Sequence, residues 1–242
     1  MSRHRPTRTI LHGRGALAGA SLAAALLAAG CAAIQPARMQ LPASLSAATP
    51  ETVQGIGGGR SGSFRLGDAQ GRYERRGDRL SLFETWARSS ADVSYKLTRA
   101  DGGEVTASCR GRQAELSAGI IAGRTQPFEL VCTWRGSDAV LRLSDPGGFA
   151  GANAGTSNER RGMLTAAGAQ IELRSVHRIE GSALPLAQPI GYVFSHGGRE
   201  IGALEINGKT PRLWRPATGD ALREPVTLAA LALALLWDPG AE

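Results

Sequence analysis

The segment that most constrains the fold is VTLAALALALLWDP, residues 226–239, close to the end of the sequence. Its first twelve residues carry no charge and are mostly Leu and Ala, which are strong helix formers, and Ala is poor in sheets. Pro225 suits the first turn of a helix, and Asp238-Pro239-Gly240 ends it. Large apolar residues surround the predicted helix on every side: Leu228, Leu231, Leu233, Leu235, Leu236 and Trp237.

The sequence before this helix is dominated by short runs in which apolar and polar residues alternate. In SADVSYKLTR, for example, one face carries Val93, Tyr95 and Leu97. Period-two alternation, with turns about ten residues apart, predicts an antiparallel barrel or sandwich. Similar runs are RLSLFETW, EVTASCR, AELSAGII, PFELVCTW, AVLRLS, AQIELRSVHRI, PIGYVFSH and REIGALEI, and RADGGEV is typical of a turn.

Together these features predict a mainly β fold, an antiparallel barrel of about ten to twelve strands with a buried apolar C-terminal helix. A helix that is apolar all round must be buried on all sides. Twelve residues rise only about 18 Å, too short to cross a bilayer. In an all-β protein, the middle of a large barrel is the place wide enough for such a helix. A lipocalin-like barrel is the alternative, but its helix packs outside and is amphipathic.

The combination resembles the tubby C-terminal-like fold, shared by tubby, phospholipid scramblases and LURP-one-related proteins, in which the C-terminal helix threads a closed barrel. The resemblance covers roughly residues 60–240 and includes REIGALEINGKTPRLWRP, which leads into the helix. It implies a fold and not a function. No lipid-binding or metal-binding residue of those families can be matched to a position in this chain.

The first thirty residues have the pattern of a secretory signal. MSRHRPTRTILHGRG carries four arginines and no acid, and the uncharged ALAGASLAAALLAAG follows. The signal ends in LLAAGC, which resembles the lipobox of bacterial lipoproteins, with Ala28, Ala29 and Gly30 before Cys31. An ordinary signal followed by a chance cysteine is the alternative.

The lipobox resemblance implies that Cys31 is lipidated with a diacylglycerol and an amine-linked acyl chain such as palmitate. Two lipid signals already anchor a protein stably, so membrane attachment would be essentially permanent. Ala32 follows the cysteine where an Asp would retain the protein at the inner membrane. The resemblance therefore implies an outer-membrane lipoprotein whose domain faces the periplasm.

These observations predict three parts of the chain. Residues 1–30 form the signal peptide, residues 31–59 carry the lipidated cysteine and a flexible Ala/Pro/Ser/Gly-rich tether, and residues 60–240 form the barrel domain. Within the domain, residues 145–158 have no pattern and are long for a connection. We expect a loop there.

Cys109 and Cys132 remain once Cys31 carries lipid. An even pair in an oxidising compartment indicates a disulfide. Both lie in the apolar register of their strands, so both thiols are predicted to point inward. Two separate buried thiols are the alternative, and no CxxC motif indicates a redox role.

No motif indicates an enzyme, a cofactor or a metal site. The mature part has two histidines, His177 and His196, each in an apolar register and each expected to be satisfied by a backbone carbonyl. GxSxG and HExxH do not occur in the sequence.

The net charge does not indicate nucleic-acid binding. Removing the four signal arginines from 28 basic residues leaves 24 against 21 acidic residues, or +3, which is too mild. The sequence thus favours a non-catalytic binding module attached to the membrane by lipid, with a protein, glycan or lipid partner left open, or alternatively a lipocalin-like carrier of a small apolar ligand.

Overall fold

In a computed structural model, the chain forms a nearly closed barrel of twelve antiparallel strands around one helix. The structure describes residues 37–82, 86–118, 121–145 and 159–236, all within the compact unit Ala37–Glu242. The elements are β1 (Glu51–Thr52), β2 (Ser61–Leu66), β3 (Ala69–Leu82), β4 (Trp86–Thr98), β5 (Glu104–Ala118), β6 (Ile121–Arg135), β7 (Val140–Ser144), β8 (Arg161–Ala166), β9 (Ala169–Val176), β10 (Gly191–His196), β11 (Arg199–Glu205), β12 (Arg212–Trp214) and α1 (Arg223–Leu235).

Each strand from β2 to β12 pairs with its neighbour in the sequence, and β1 pairs with β12. The two edges of this sheet meet just after β1, where Gln54 and Arg65 of β2 exchange backbone hydrogen bonds of 2.9 and 3.0 Å. The sheet thereby nearly closes on itself. Closure matters because an open edge would leave unpaired backbone groups.

Alternation places one face of every long strand in the core, as predicted. Val93, Tyr95 and Leu97 of β4 are each at most 3% exposed. The same holds for the inward residues of β6, where Phe128 and Leu130 are 1% and 0% exposed. Successive side chains of a strand point to opposite faces, so the intervening polar residues cover the outside.

Helix α1 occupies the interior of this barrel, as predicted. Every residue from Pro225 to Leu233 is buried, and so is Leu235. These residues join the inward side chains of the strands in one hydrophobic cluster. The predicted contribution of Trp237 lies outside the described residues. Within the described ranges, no helix is both long and apolar enough to cross a membrane.

The alternating strand directions give the barrel two unlike ends. The hairpin end carries the short turns that follow β2, β4, β6, β8 and β10, and α1 begins there. The loop end carries the connections 177–190 and 206–211, and α1 points towards it. The first described residue, Ala37, also lies at the loop end, because its carbonyl accepts a hydrogen bond from Asn207.

Two of the predicted strands are instead hairpins. RLSLFETW contains the end of β3 and the start of β4, where Leu82 pairs with Trp86. AELSAGII likewise contains the end of β5 and the start of β6, where Ala118 pairs with Ile121. Apolar residues continue through both reversals, so the alternation gave no sign of a turn. As a result β3 to β6 have 13 to 15 residues each.

The domain also begins earlier than the predicted boundary at residue 60. Residues 37–50, here called the strap, pack along the outside of the barrel, and residues 51–52 form β1. Met39 and Leu45 are 1% and 8% exposed and join Val193 and Trp214 in a second apolar cluster. The assignment of residues 37–59 to a flexible tether is therefore corrected, because a few well-placed apolar side chains fix this Ala-, Pro- and Ser-containing stretch to the sheet.

Candidate functional site

The structure describes the two cysteines of the predicted disulfide but not the cysteine predicted to be lipidated. Cys31 lies outside the described residues, as does most of the predicted loop 145–158. Cys109 and Cys132 are directly opposite each other in β5 and β6. Their sulfur atoms are 2.08 Å apart, a disulfide distance, and the residues are 3% and 0% exposed. Both cysteines thus point inward as predicted.

Both histidines bind backbone carbonyls, as predicted. His196 Nδ1 is 2.7 Å from the Gln170 carbonyl. His177 Nδ1 is 3.0 Å from the Leu186 carbonyl, and its Nε2 is 2.9 Å from Ser175 Oγ. Burial lowers the pKa of His177, while the hydrogen bond with Leu186 opposes that shift. His177 therefore holds the connection 177–190 in place.

No metal site emerges from the described parts of the chain. Within residues 37–82, 86–118, 121–145 and 159–236, no group of three or more His, Cys, Asp or Glu side chains could hold a metal ion. The two histidines are engaged with backbone instead.

The barrel interior is tied to α1 by a buried polar pair. Tyr95 donates a 2.7 Å hydrogen bond to the Leu228 carbonyl of α1, and Trp134 Nε1 donates a 2.7 Å bond to the Tyr95 hydroxyl. Burial raises the pKa of Tyr95, so the phenol stays protonated as a donor. This arrangement fixes the helix within the strands and fills the lumen beside it with side chains.

A cluster of charged residues closes the hairpin end around the start of α1. Glu51 accepts hydrogen bonds from Arg215 Nε at 2.7 Å and from Arg223 at 2.8 Å. Arg215 also donates to Thr227 Oγ1 of α1 at 3.2 Å. The Arg215 hydrogen bonds and the charges of both arginines lower the pKa of Glu51, whereas burial opposes the shift. These bonds join β1, β12 and α1 and are structural in character.

A groove of about 660 Å³ lies on the outer surface of β2 to β5. Its polar lining comes from outward positions of the strands: Gln54, Ser63, Arg65, Gln70, Arg72, Lys96, Thr98 and Glu104. Adjacent depressions share Ser63, Arg72 and Lys96 with it, and further ones continue to Arg112 and Glu129. The depressions therefore form one extended surface across β2 to β6, here called the basic face.

The basic face concentrates positive charge. Eight cationic and four acidic side chains line it, an excess of four positive charges. The net charge of the full sequence is +7. The cations are Arg60, Arg65, Arg72, Arg75, Arg76, Lys96, Arg110 and Arg112, and the acids are Glu74, Asp92, Glu104 and Glu129.

Some of these cations are already paired and others can bind a ligand. Lys96 lies 2.8 Å from Glu104, and Arg110 lies 3.5 Å from Asp92. Among the ion pairs of the described residues, none includes Arg65 or Arg72. A guanidinium offers five donors in a fork that matches carboxylates, sulfates and phosphates. The groove is therefore suited to an anionic ligand.

Comparisons with protein-family models, curated proteins and solved structures gave no match for this chain. The class of protein is thus defined by its architecture, a twelve-stranded antiparallel barrel with a buried C-terminal helix. Its chemistry has to be inferred from its own surface.

Sequence reasoning missed the basic face, although a signal for it existed. Outward positions of β3 and β5 carry arginine at alternate places, such as Arg72 and Arg76, or Arg110 and Arg112. The net charge of +3 for the part of the chain after the predicted signal concealed this concentration, because a sum over the chain says nothing of where charges lie. Assigning the inward register first would have located its outward cations, but not Arg60, which lies before β2, or Arg75, which shares the register of Tyr73.

Proposed function

We propose that this protein is a lipid-anchored lipoprotein of the cell envelope that acts as a non-catalytic binding module. Cys31 holds it to the outer membrane and the barrel faces the periplasm. The signal pattern and the lipobox resemblance of LLAAGC support the anchor. The barrel threaded by α1 is the architecture that the tubby-like resemblance implies, which supports that resemblance but carries no function with it.

The excess of four positive charges on the basic face is the observation that carries the binding role. An anionic glycan, lipid headgroup or acidic protein segment is the ligand that this chemistry favours. A surface of one sign attracts oppositely charged partners and speeds their encounter. Arginines that bind anions through charge-assisted hydrogen bonds also fix ligand orientation.

The alternative, a lipocalin-like carrier, is less well supported. Such a carrier needs an open lumen for its ligand. Here α1 occupies the lumen, and Leu228, Leu231 and Leu235 are each 0% exposed. The outer groove is polar, which does not suit a small apolar ligand.

Binding to a charged polymer tests the ligand surface. The full lipidated protein in detergent is titrated with dextran sulfate, a polyanion, and with neutral dextran at several salt concentrations. We expect binding to dextran sulfate alone, weakening as salt rises. Arg65→Gln with Arg72→Gln should weaken binding at least about ten-fold, because hydrogen bonds to charged groups contribute about 1.5–3 kcal/mol each.

Arg161→Gln with Arg174→Gln is the matched control. Both arginines are exposed and lie opposite each other on β8 and β9, away from the groove. The control removes the same total charge, so it should bind nearly as the natural protein does. Equal losses in the two double variants would attribute binding to overall charge and would refute the assignment to the basic face.

A further inference from the structure

We propose that the loop end of the barrel rests on the membrane that carries the anchor, with Leu184 and Leu186 inserted among the lipids. The inference rests on the proposed lipidation of Cys31. It adds an orientation and a second membrane contact to that function, and it commits to one partner, the phospholipid surface itself.

The covalent chain keeps the loop end close to the anchor. Six peptide steps separate Cys31 from Ala37, and six extended residues span at most about 20 Å. From Ala37 onwards the strap is fixed to the loop end by several hydrogen bonds. Gln40 N donates to the Arg178 carbonyl and Glu180 N donates to the Arg38 carbonyl, both at 2.9 Å.

The strap is also held from the neighbouring sheet. Met39 N donates a 2.8 Å hydrogen bond to the buried carboxylate of Glu205. The Met39 side chain is 1% exposed and packs in the apolar cluster that contains Val176 and Ile190. A lipid on Cys31 therefore cannot hold the domain at a distance, because the tether that remains is short.

The loop end displays the most exposed large apolar residues of the described chain. Leu184 is 77% exposed and Leu186 is 38% exposed, and the third such residue, Leu80 at 58%, lies near the loop end of β3. Water-exposed leucines cost free energy that insertion into lipid recovers. Leucines in a loop beside a lipid attachment point can insert into the bilayer, which removes the free-energy cost of their exposure to water.

The two leucines are held in position by the fold. Leu186 N donates a 2.7 Å hydrogen bond to the His177 carbonyl, and the Leu186 carbonyl binds the His177 ring. Pro185, between the leucines, lines a groove of about 440 Å³ together with Gln40 and Pro42 of the strap. The leucines thus lie beside the chain segment that leads to Cys31.

The charges at the junction of strap and loop are compatible with the same orientation. Exposed Arg38 and Arg178 lie at the junction of strap and loop, next to exposed Glu180, and basic residues close to an anionic leaflet are attracted to it. At the hairpin end, the turns after β2, β4 and β6 carry the exposed acids Asp68, Asp101 and Asp138. Arg99 lies 3.6 Å from Asp101 there, so the turns of that end offer an anionic bilayer little attraction. The basic face lies on the barrel wall between the two ends and stays open to the periplasm.

Depth-dependent quenching tests the proposal. The lipidated full-length protein is reconstituted in vesicles of phosphatidylethanolamine and phosphatidylglycerol. An environment-sensitive fluorophore is attached at Leu184→Cys, or at Asp68→Cys in the hairpin end as the matched control. The label at position 184 should emit at a shorter wavelength on vesicles than in solution and should be quenched by nitroxide-labelled lipids. The label at position 68 should show neither change.

A second variant separates insertion from mere proximity. Two proteins labelled at Arg178→Cys are compared, one with both leucines and one with Leu184→Ser and Leu186→Ser. The double serine variant should retain its fold because both leucines are exposed. Its label should lose the quenching that is seen when both leucines are present. Vesicle flotation and the mass of Cys31 are measured on every sample. An unlipidated protein that fails to float would defeat the proposed anchor. A floating, lipidated protein whose label at position 184 is not quenched would leave the anchor standing and overturn this inference.

Discussion

The pair Cys109 and Cys132 shows how one residue contact can join the two longest strands. Both strands have 15 residues, and the cysteines face each other inside the barrel. A disulfide restricts the unfolded chain by closing a loop. The two cysteines are 23 residues apart in sequence, and this separation sets the length of the closed loop.

Thiol alkylation of the denatured, unreduced mature protein should detect no free cysteine. Cys109→Ser with Cys132→Ser should lower the free energy of unfolding by about 3 kcal/mol, which is the value expected for a loop of this length. Denaturant titration measures that change. The reduced natural protein is the control and should show the same loss. Two titratable thiols in the unreduced protein would mean that the bond does not form.

Glu51 is the residue whose ionisation matters most at the hairpin end. Its pKa is lowered from the usual 4.5 by the hydrogen bonds from Arg215 and the charges of Arg215 and Arg223. A carboxylate with a lowered folded pKa stabilises the fold above its unfolded pKa. That contribution is lost as the pH falls towards the folded value.

Thermal unfolding between about pH 6 and pH 3 should therefore show a loss of stability that depends on Glu51. Glu51→Gln should be less stable than the natural protein at pH 6, and the difference should shrink as the pH falls. Glu104→Gln serves as the control because its ion pair with Lys96 is about half exposed and such pairs contribute little. A Glu51→Gln deficit that stays constant with pH would exclude the ionic contribution.

The inward positions were the residues that the sequence predicted best. Val93, Tyr95 and Leu97 follow from the period of two, which is a property of the strand itself. The partners of Tyr95 were not predictable, since Leu228 lies 133 residues away. Buried charged groups such as Arg160, which is 2% exposed over the ring of Phe128, were missed for the same reason.

At the scale of elements, the side chains of α1 fill the interior of the barrel. A leucine fully buried in such a position contributes about 1.5–3 kcal/mol. Ala232 is 1% exposed, whereas Ala234 is only partly buried. The two alanines differ in environment and share the same helix, so they make a matched pair.

Ala232→Asp should cost more than about 4 kcal/mol, because a carboxylate placed among the apolar side chains around Ala232 loses its hydration. Aspartate at positions 229, 230, 231 and 233 should have a similar effect. Ala234→Asp should be tolerated better. Thermal or denaturant unfolding of the series measures this, and a chain that ends at Glu224 should not fold. A tolerant position every three or four residues along the helix would contradict a helix buried on all sides.

Elements without a period were the ones that sequence reasoning missed. Helix α1 was predictable because leucines surround it, and the long strands were predictable because they alternate. The strap has neither pattern, and it is fixed by Met39, Leu45 and long-range contacts such as the 3.0 Å bond from Trp214 Nε1 to the Ala48 carbonyl. Such contacts join segments that are distant in sequence and leave no local signal.

At the scale of the whole molecule, each part of the surface differs in chemistry. The wall formed by β2 to β6 is basic, the loop end is apolar beside Ala37, and the turns of the hairpin end carry aspartates. In the proposed orientation, the domain is held at its loop end and its basic wall faces the periplasm. The proposed anchor and orientation depend on lipid at Cys31, whereas anion binding by the basic face does not.

Mass spectrometry of the mature N-terminus tests that dependence most directly. The natural protein, isolated from membranes, should begin at Cys31 and carry a diacylglycerol and an amine-linked acyl chain. Cys31→Ser should incorporate no fatty-acid probe and should accumulate as the uncleaved precursor, while a control such as Ser44→Ala should be lipidated normally. A mature chain that begins at another residue, an unmodified Cys31, or continued labelling of Cys31→Ser would contradict a lipid-anchored binding module.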